Sequence, residues 1–436
     1  MGFFLFLVVN ALLFIRPADL LPGLKALHLY ELSMLGCLAI SLPWLLPQFR
    51  MASLRARPIT ACILCLLPFV VITPLYRGYT GLFAEYAPEF SKMVLYYLVL
   101  TVIIRDVKHL RIFVLFLAVC IAIVGLIPVL GHHGYLHLES VQAISDVKVD
   151  AQTGKMVRFD RLQGVGIFAD PNDLAQILGV GIILCLYATQ LTRRWLVRGL
   201  WAVPCLVMLY GIYLSQSRGG LMAFGVGMMV LFVTRYGWKK SVILIALALP
   251  VITVFSGRQT SLSTEEGSAQ SRVQLWADSI EAVKTWPIMG CGAGVMGDFY
   301  MSQVAHNTYL HMLGELGLIG GGAFMGAYWV ATWGLVRLMP SRGLVTDPDL
   351  RTMRPFLGAA IATYAMGMMS LSRGYALPTY TLLGLTTVFL SLVKTRPEIP
   401  AMRLDRGFLK QTVIVTLAFL IVMHLFVSAN VRWSGS

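Results

Sequence analysis

Apolar runs dominate this chain of 436 residues, near 1–15, 29–47, 58–75, 91–104, 111–130, 172–190, 199–214, 219–234, 241–256, 308–336, 356–371, 375–393 and 410–429. A helix needs about 20 mostly apolar residues to cross a bilayer. The runs are continuous and do not alternate with period two, so a membrane β-barrel does not fit. Charged residues are 13% of the chain, against roughly 25% in soluble domains, and the mean hydropathy is +0.75. A fold of this size has too little interior to hide that much apolar surface from water. The expected fold is an all-α integral membrane protein of about 12–13 transmembrane helices, with 1–436 as a single polytopic membrane domain. The first run, MGFFLFLVVNALLFI, lacks a basic leader and a convincing small-residue cleavage site. It reads as a short membrane helix whose pattern extends toward Leu21. The first and fourth runs are shorter than a full span.

Charge then orients the chain. With the N-terminus in the cytoplasm and every run crossing, the cytoplasmic segments are 48–57, 105–111, 191–198, 235–240, 337–354 and 394–410. They hold 21 Lys and Arg against 5 Asp and Glu, and the rest of the chain holds 14 against 16. One basic face and one neutral face is what the positive-inside rule requires. The formal charge of +14 is therefore an orientation signal toward membrane lipids, and no nucleic-acid partner is expected. Two outer segments are long: 131–170, in which VKVDAQTGKMVRFDR reads as a hairpin, and 257–305, whose second part (SRVQLWADSIEAVKTW) reads as an amphipathic helix. Trp276 and Trp286 suit a helix lying at the membrane surface. No internal repeat points to an inverted-repeat transporter.

The cysteines do not form a disulfide framework. Six lie in apolar runs, among them the Cys62–Cys65 pair, which reads as buried structure; Cys291 stands in a loop. A metal site is not expected. His132, His133 and His137 cluster in an outer loop without a carboxylate or cysteine framework. Asp347 and Asp349 (DPD) read as a turn in a basic segment. No nucleotide-binding motif is present, and no cofactor is expected.

Polar residues gather instead at the outer ends of the apolar runs. RLQGVGIFADPNDLAQ carries Arg161 and a helix start at Asp170, Asn172 and Asp173. SQSRGG carries Arg218 in a tight turn. AQSRVQLW carries Arg272. AHNTYLHMLGELGLIGG carries His306 and Asn307 at the mouth of a long helix, with Glu315 deeper inside. SLSRGY adds Arg373. Each has a plain structural reading as a cap, a solvated face or a snorkelling cation. Arginines, however, are not favoured on this face by orientation, and an ionisable residue within a span is a functional candidate. Several arginines and one histidine suit transfer of a group from a lipid-linked pyrophosphate. Guanidinium forks bind the phosphate oxygens and offset the charge of the leaving group. An imidazole accepts the proton of an attacking hydroxyl. The donor is already activated, so no nucleotide is consumed.

In order along the chain, RLQGVGIFADPNDLA, SQSRGG, SRVQLW with WPIMGCGAG, and HNTYLHMLGELGLIGG resemble the O-antigen ligase and polymerase superfamily of bacterial inner-membrane proteins. The motifs cover about 161–320. The resemblance implies a multi-pass fold in the inner (cytoplasmic) membrane, with a large periplasmic loop before the His-bearing helix. It implies metal-independent transfer of glycan from undecaprenyl pyrophosphate to a lipid or glycan acceptor, such as lipid A–core. It also implies that Arg218 and Arg272 bind the donor pyrophosphate and that His306 is the base. Arg161 matches a further motif position, Asn307 and Arg373 are supporting candidates, and Arg77 or Lys92 supplies an early outer-loop cation. A single base without a carboxylate nucleophile favours inversion. A polymerase of the same superfamily differs from a ligase in acceptor, which these motifs do not read. A transporter or flippase of lipid-linked glycan would use the arginines without chemistry and would tolerate loss of His306.

Overall fold

A computed structural model of the chain describes residues 1–20, 23, 27–136, 144–149, 156–241, 266–299, 304–339 and 344–431. Every apolar run falls on a helix except 241–256, of which residues 242–256 lie outside the described residues. Seven helices are long and apolar enough to cross a membrane: Leu29–Phe49, Pro58–Tyr76, Val107–His132, Pro171–Gln190, Trp195–Ser215, Arg218–Tyr236 and Arg406–Asn430. Gly2–Ile15 and Leu377–Leu392 are apolar but shorter. Thr80–Ile103, Glu266–Thr285, Thr308–Arg337 and Pro348–Gly367 complete the long helices among the described residues. The strands there form two short antiparallel pairs. The chain is an all-α integral membrane protein.

Two boundaries differ from the sequence expectation. The first helix stops at Ile15, because Arg16 turns left-handed at φ 51° and Pro17 starts a separate turn. The fourth run, short by hydropathy, lies on a helix that starts at Thr80. Its first turns carry Glu85, Glu89 and Lys92, which lower the hydropathy without breaking the helix.

Pro171–Gln190 is the centre of the bundle, with 83% of its apolar window buried, against 17% for Trp195–Ser215 and Arg406–Asn430 at the rim. Small residues let its neighbours approach: Gly220 sits against Ala175, and Gly179 against Phe224 and Thr363. Membrane helices pack through such contacts because lipid gives no hydrophobic drive between them. The hairpin in the long segment after Val107–His132 pairs Ile144–Val149 with Met156–Arg161, aligning Val147 with Arg158. Its turn lies outside the described residues.

The His-bearing helix is bent. Gly317 has φ 67° and ψ −172°, a combination essentially reserved for glycine. Leu318 N donates to Pro287 O at 2.7 Å, while Cys291 N donates to Gly314 O at 2.9 Å and Gly292 N to Glu315 O at 3.0 Å. Backbone groups released by the bend are thus satisfied by the GCGAG segment, as apolar surroundings demand.

The helix ends sort into two faces. On one lie Arg57, bonded to Gln48, and Arg111, paired with Asp349 at 2.8 Å. Arg354, bonded to Leu338 O, lies there too. Asp347 caps Pro348–Gly367 by accepting from Asp349 N and Leu350 N. The DPD sequence is thus a helix cap. The other face holds the residues described next.

Candidate functional site

Three helix starts meet at this second face. Asp170 caps Pro171–Gln190, accepting from Asn172 N at 2.7 Å. Ser217 caps Arg218–Tyr236, accepting from Gly220 N at 3.1 Å. Asn307 caps Thr308–Arg337, accepting from Tyr309 N at 3.1 Å and Leu310 N at 3.2 Å. Asx and serine side chains do this because a helix start has unpaired N–H groups. These starts also carry partial positive charge, which favours a bound anion.

The caps are tied together. Asn172 Oδ1 accepts from the Ser217 hydroxyl at 2.7 Å and from Arg161 Nη2 at 3.2 Å. Arg161 Nε donates to Ser215 O at 3.1 Å. Arg161, on the last residue of the hairpin, is thereby fixed beside the turn that carries Arg218. Arg218 itself is exposed and makes no hydrogen bond or ion pair to another described residue. Asp173, almost fully buried, forms a two-pronged ion pair with Arg373 through Nε and Nη2. The Arg373 N–H donates to Thr308 Oγ1 at 2.9 Å, and Thr308 N donates to Met368 O at 2.8 Å. The 368–376 segment is therefore pinned to the start of the His-bearing helix.

His306 precedes that helix in a left-handed conformation, φ 47°. Burial lowers its pKa below the ordinary 6.5; Arg272 lowers it further, Asp170 raises it, and Arg373 and His311 lower it again. Burial also lowers the Arg272 pKa, with Asp170 acting against this and Arg161 adding to it. His306, Arg272, Arg161, Arg373 and Asp170, spread over more than 200 residues of sequence, are therefore electrostatic neighbours. The imidazole is neutral at neutral pH and half-buried, the state a general base needs. The side-chain Nδ2 of fully buried Asn307 has no hydrogen-bond partner among the described residues.

Arg272 is carried by the Glu266–Thr285 helix. Trp276 packs on Phe426 with ring centres 5.9 Å apart, and Ile280 packs in a cluster with Leu310 and Met423. The amphipathic face is docked on two bundle helices, and the helix does not rest on lipid through its tryptophans alone. Trp286 is covered by the Arg77 guanidinium at 4.4 Å. Arg77 thus holds the segment after Arg272. Lys92 is exposed and paired with Glu89 at 2.6 Å. It lines a cavity of ≈ 610 Å³ whose wall also includes Asp173, Arg373, Tyr375 and Arg16.

Below the site lies a buried network that the sequence reading identified only by its carboxylate. Glu315 Oε2 accepts from Tyr375 Oη at 2.8 Å, and Oε1 accepts from Met296 N at 3.3 Å. His311 Nε2 lies 3.0 Å from Oε1, without the alignment of a hydrogen bond. Three segments, those bearing His306, Arg373 and the GCGAG turn, thus converge on one carboxylate. The partner roles of Asp173 and Tyr375 escaped the sequence reading. The available signal was that Arg373, an outer-face cation beside a span, requires a buried anion. Of the histidine cluster, His133 bonds Tyr210 Oη at 3.0 Å and stacks on its ring; His137 lies outside the described residues.

No curated protein matches the chain. Residues 203–325, which include Arg218, Arg272 and His306, match the Wzy_C family model, described as O-antigen ligase, and this match supports assigning the chain to the O-antigen ligase superfamily.

Proposed function

We propose that the protein is a glycosyl transferase that moves a glycan from undecaprenyl pyrophosphate to an acceptor hydroxyl, with lipid A–core as a candidate acceptor. The observation that carries this reading is the half-buried His306 before the start of Thr308–Arg337, with Arg272, Asp170 and Arg373 as its electrostatic neighbours and Arg161 beside Arg272. A pyrophosphate near these cations gains charge-assisted hydrogen bonds in a region poor in water. Arg272 and the exposed Arg218 bind its oxygens, with Arg161 and the unpartnered Asn307 amide as further donors. Arg373 has two of its donors engaged by Asp173, so it acts through charge and by holding its segment.

In the transfer, His306 removes the hydroxyl proton of the acceptor while the acceptor oxygen forms a bond to the anomeric carbon. The bond from that carbon to the phosphate oxygen breaks, and the electron pair leaves on the pyrophosphate. One displacement inverts the anomeric centre. Because guanidinium groups offset the developing charge, turnover is expected to persist in EDTA. The site faces the periplasm if the basic end of the bundle is cytoplasmic, which agrees with the positive-inside rule.

The test uses purified protein, lipid-linked glycan and candidate acceptors, in EDTA and without ATP. His306→Ala should lower turnover by about 10²–10⁴-fold, the usual worth of a general base, while donor binding is kept. Undiminished turnover would refute the assignment and favour a transport role. Product length separates transfer of one block from chain growth, and a retained anomeric configuration would exclude the single displacement.

A further inference from the structure

A second cavity, of ≈ 430 Å³, opens at the opposite end of the bundle. It lies where Pro58–Tyr76 starts and where Thr308–Arg337 and Leu377–Leu392 end, and the segment up to Met402 closes it. Its size suits a small ligand, roughly 300–1,000 Å³ in surveyed pockets. Two guanidinium groups line it, those of Arg57 and Arg337, and no carboxylate among the described residues does. Arg57 spends one donor on Gln48 Oε1 at 2.6 Å. Arg337 makes no hydrogen bond or ion pair to another described residue. The remaining wall is largely apolar, with Val330, Leu390, Ile399 and Met402.

Cations and apolar side chains in one cavity at a membrane boundary match an amphiphile with an anionic head. A soluble anion would leave the apolar wall wet, and a neutral lipid would leave two half-buried guanidinium groups without a counter-charge. This end also carries the basic excess of the chain, 21 Lys and Arg against 5 Asp and Glu in its six segments. Basic pockets between membrane helices on such a face suit phospholipid headgroups. We propose that this cavity is a binding site for one anionic phospholipid, its phosphate held by Arg57 and Arg337 and an acyl chain lying along Val330 and Leu390. The site is separate from the transfer site and serves as a lipid anchor at the other face.

Native mass spectrometry of the purified full chain tests this with added phosphatidylglycerol or phosphatidylcholine. Wild-type protein should retain one phosphatidylglycerol in preference to phosphatidylcholine. The double variant Arg57→Gln/Arg337→Gln should lose that preference by about tenfold or more, since each interfacial cation contributes about 1 kcal/mol. The double Lys variant should keep most of it. Arg193→Gln, an exposed cation outside the cavity, should behave as wild type. Millimolar inorganic phosphate should not displace the lipid. Equal retention of both lipids by wild type would overturn the proposal, and this comparison decides it even if the Gln variant does not fold. Equal losses in the double Gln and Arg193→Gln variants would also overturn it, as would displacement by phosphate, which would indicate a soluble anion.

Discussion

At the scale of single residues, the proposed base His306 is an imidazole whose surroundings favour the neutral form. Burial, then Arg272, depress the His306 pKa. The acid limb of the pH–rate profile for kcat/KM is therefore expected below pH 6.5, because activity falls as pH drops through the lowered value. Arg272→Gln removes a positive charge, which raises the His306 pKa and moves that limb upward; an unmoved limb would separate the two side chains. The Asp173–Arg373 pair gives a second expectation. Removing Asp173 leaves Arg373, about a third exposed, without its carboxylate, at a cost of about 1–3 kcal/mol. Asp173→Asn should lower the thermal midpoint and transferase activity together. Asp173→Asn/Arg373→Gln should recover part of the stability and little of the activity. The comparison is a thermal melt beside a turnover assay.

At the scale of elements, the bend in the His-bearing helix links the site to its support. A Cβ at Gly317 would collide with the Ile288 carbonyl, and the backbone there is closed to side chains. Gly317→Ala should cost about 1–3 kcal/mol from conformation alone, with the clash in addition, and lower the yield of folded protein. Gly225→Ala, where added atoms meet nothing within 4 Å, is the control. The bend also explains why Glu315 is tolerated inside an apolar helix. Tyr375, Met296 N and His311 surround the carboxylate, so the penalty for burying it is offset locally. Glu315→Leu should therefore destabilise the protein more than Glu315→Gln, which keeps one acceptor oxygen for Met296 N and places an amide donor that the Tyr375 hydroxyl can accept from.

On the scale of the whole molecule, alternating crossings bring every outer-loop candidate to one end and the basic segments to the other. The expected orientation predicts a labelling pattern. Lys284→Cys, on the helix that carries Arg272, should react with an impermeant thiol reagent on intact cells. Arg396→Cys, in a basic segment, should react only after the membrane is broken. The reverse pattern would place the site in the cytoplasm. Both positions are exposed or half-exposed, so reactivity reports sidedness and not burial.

What the sequence determined alone follows from interactions local along the chain. Continuous apolarity set the membrane class and the helix positions. Asp170 announced a helix start because caps bond within two or three residues, and Ser217 and Asn307 prove to cap their helices in the same way. Polar first turns hid the true beginning at Thr80 for the same reason, since hydropathy measures composition and not hydrogen bonding. Tertiary structure alone decided partners. Arg373 finds its anion 200 residues away in Asp173, and Glu315 finds Tyr375 across 60. Arg77 and Lys92 were equal candidates for an early outer-loop cation, yet Arg77 covers Trp286 while Lys92 pairs with Glu89. A buried charge accepts whichever counter-charge the packing brings within a few ångströms, and that proximity is a property of the folded bundle.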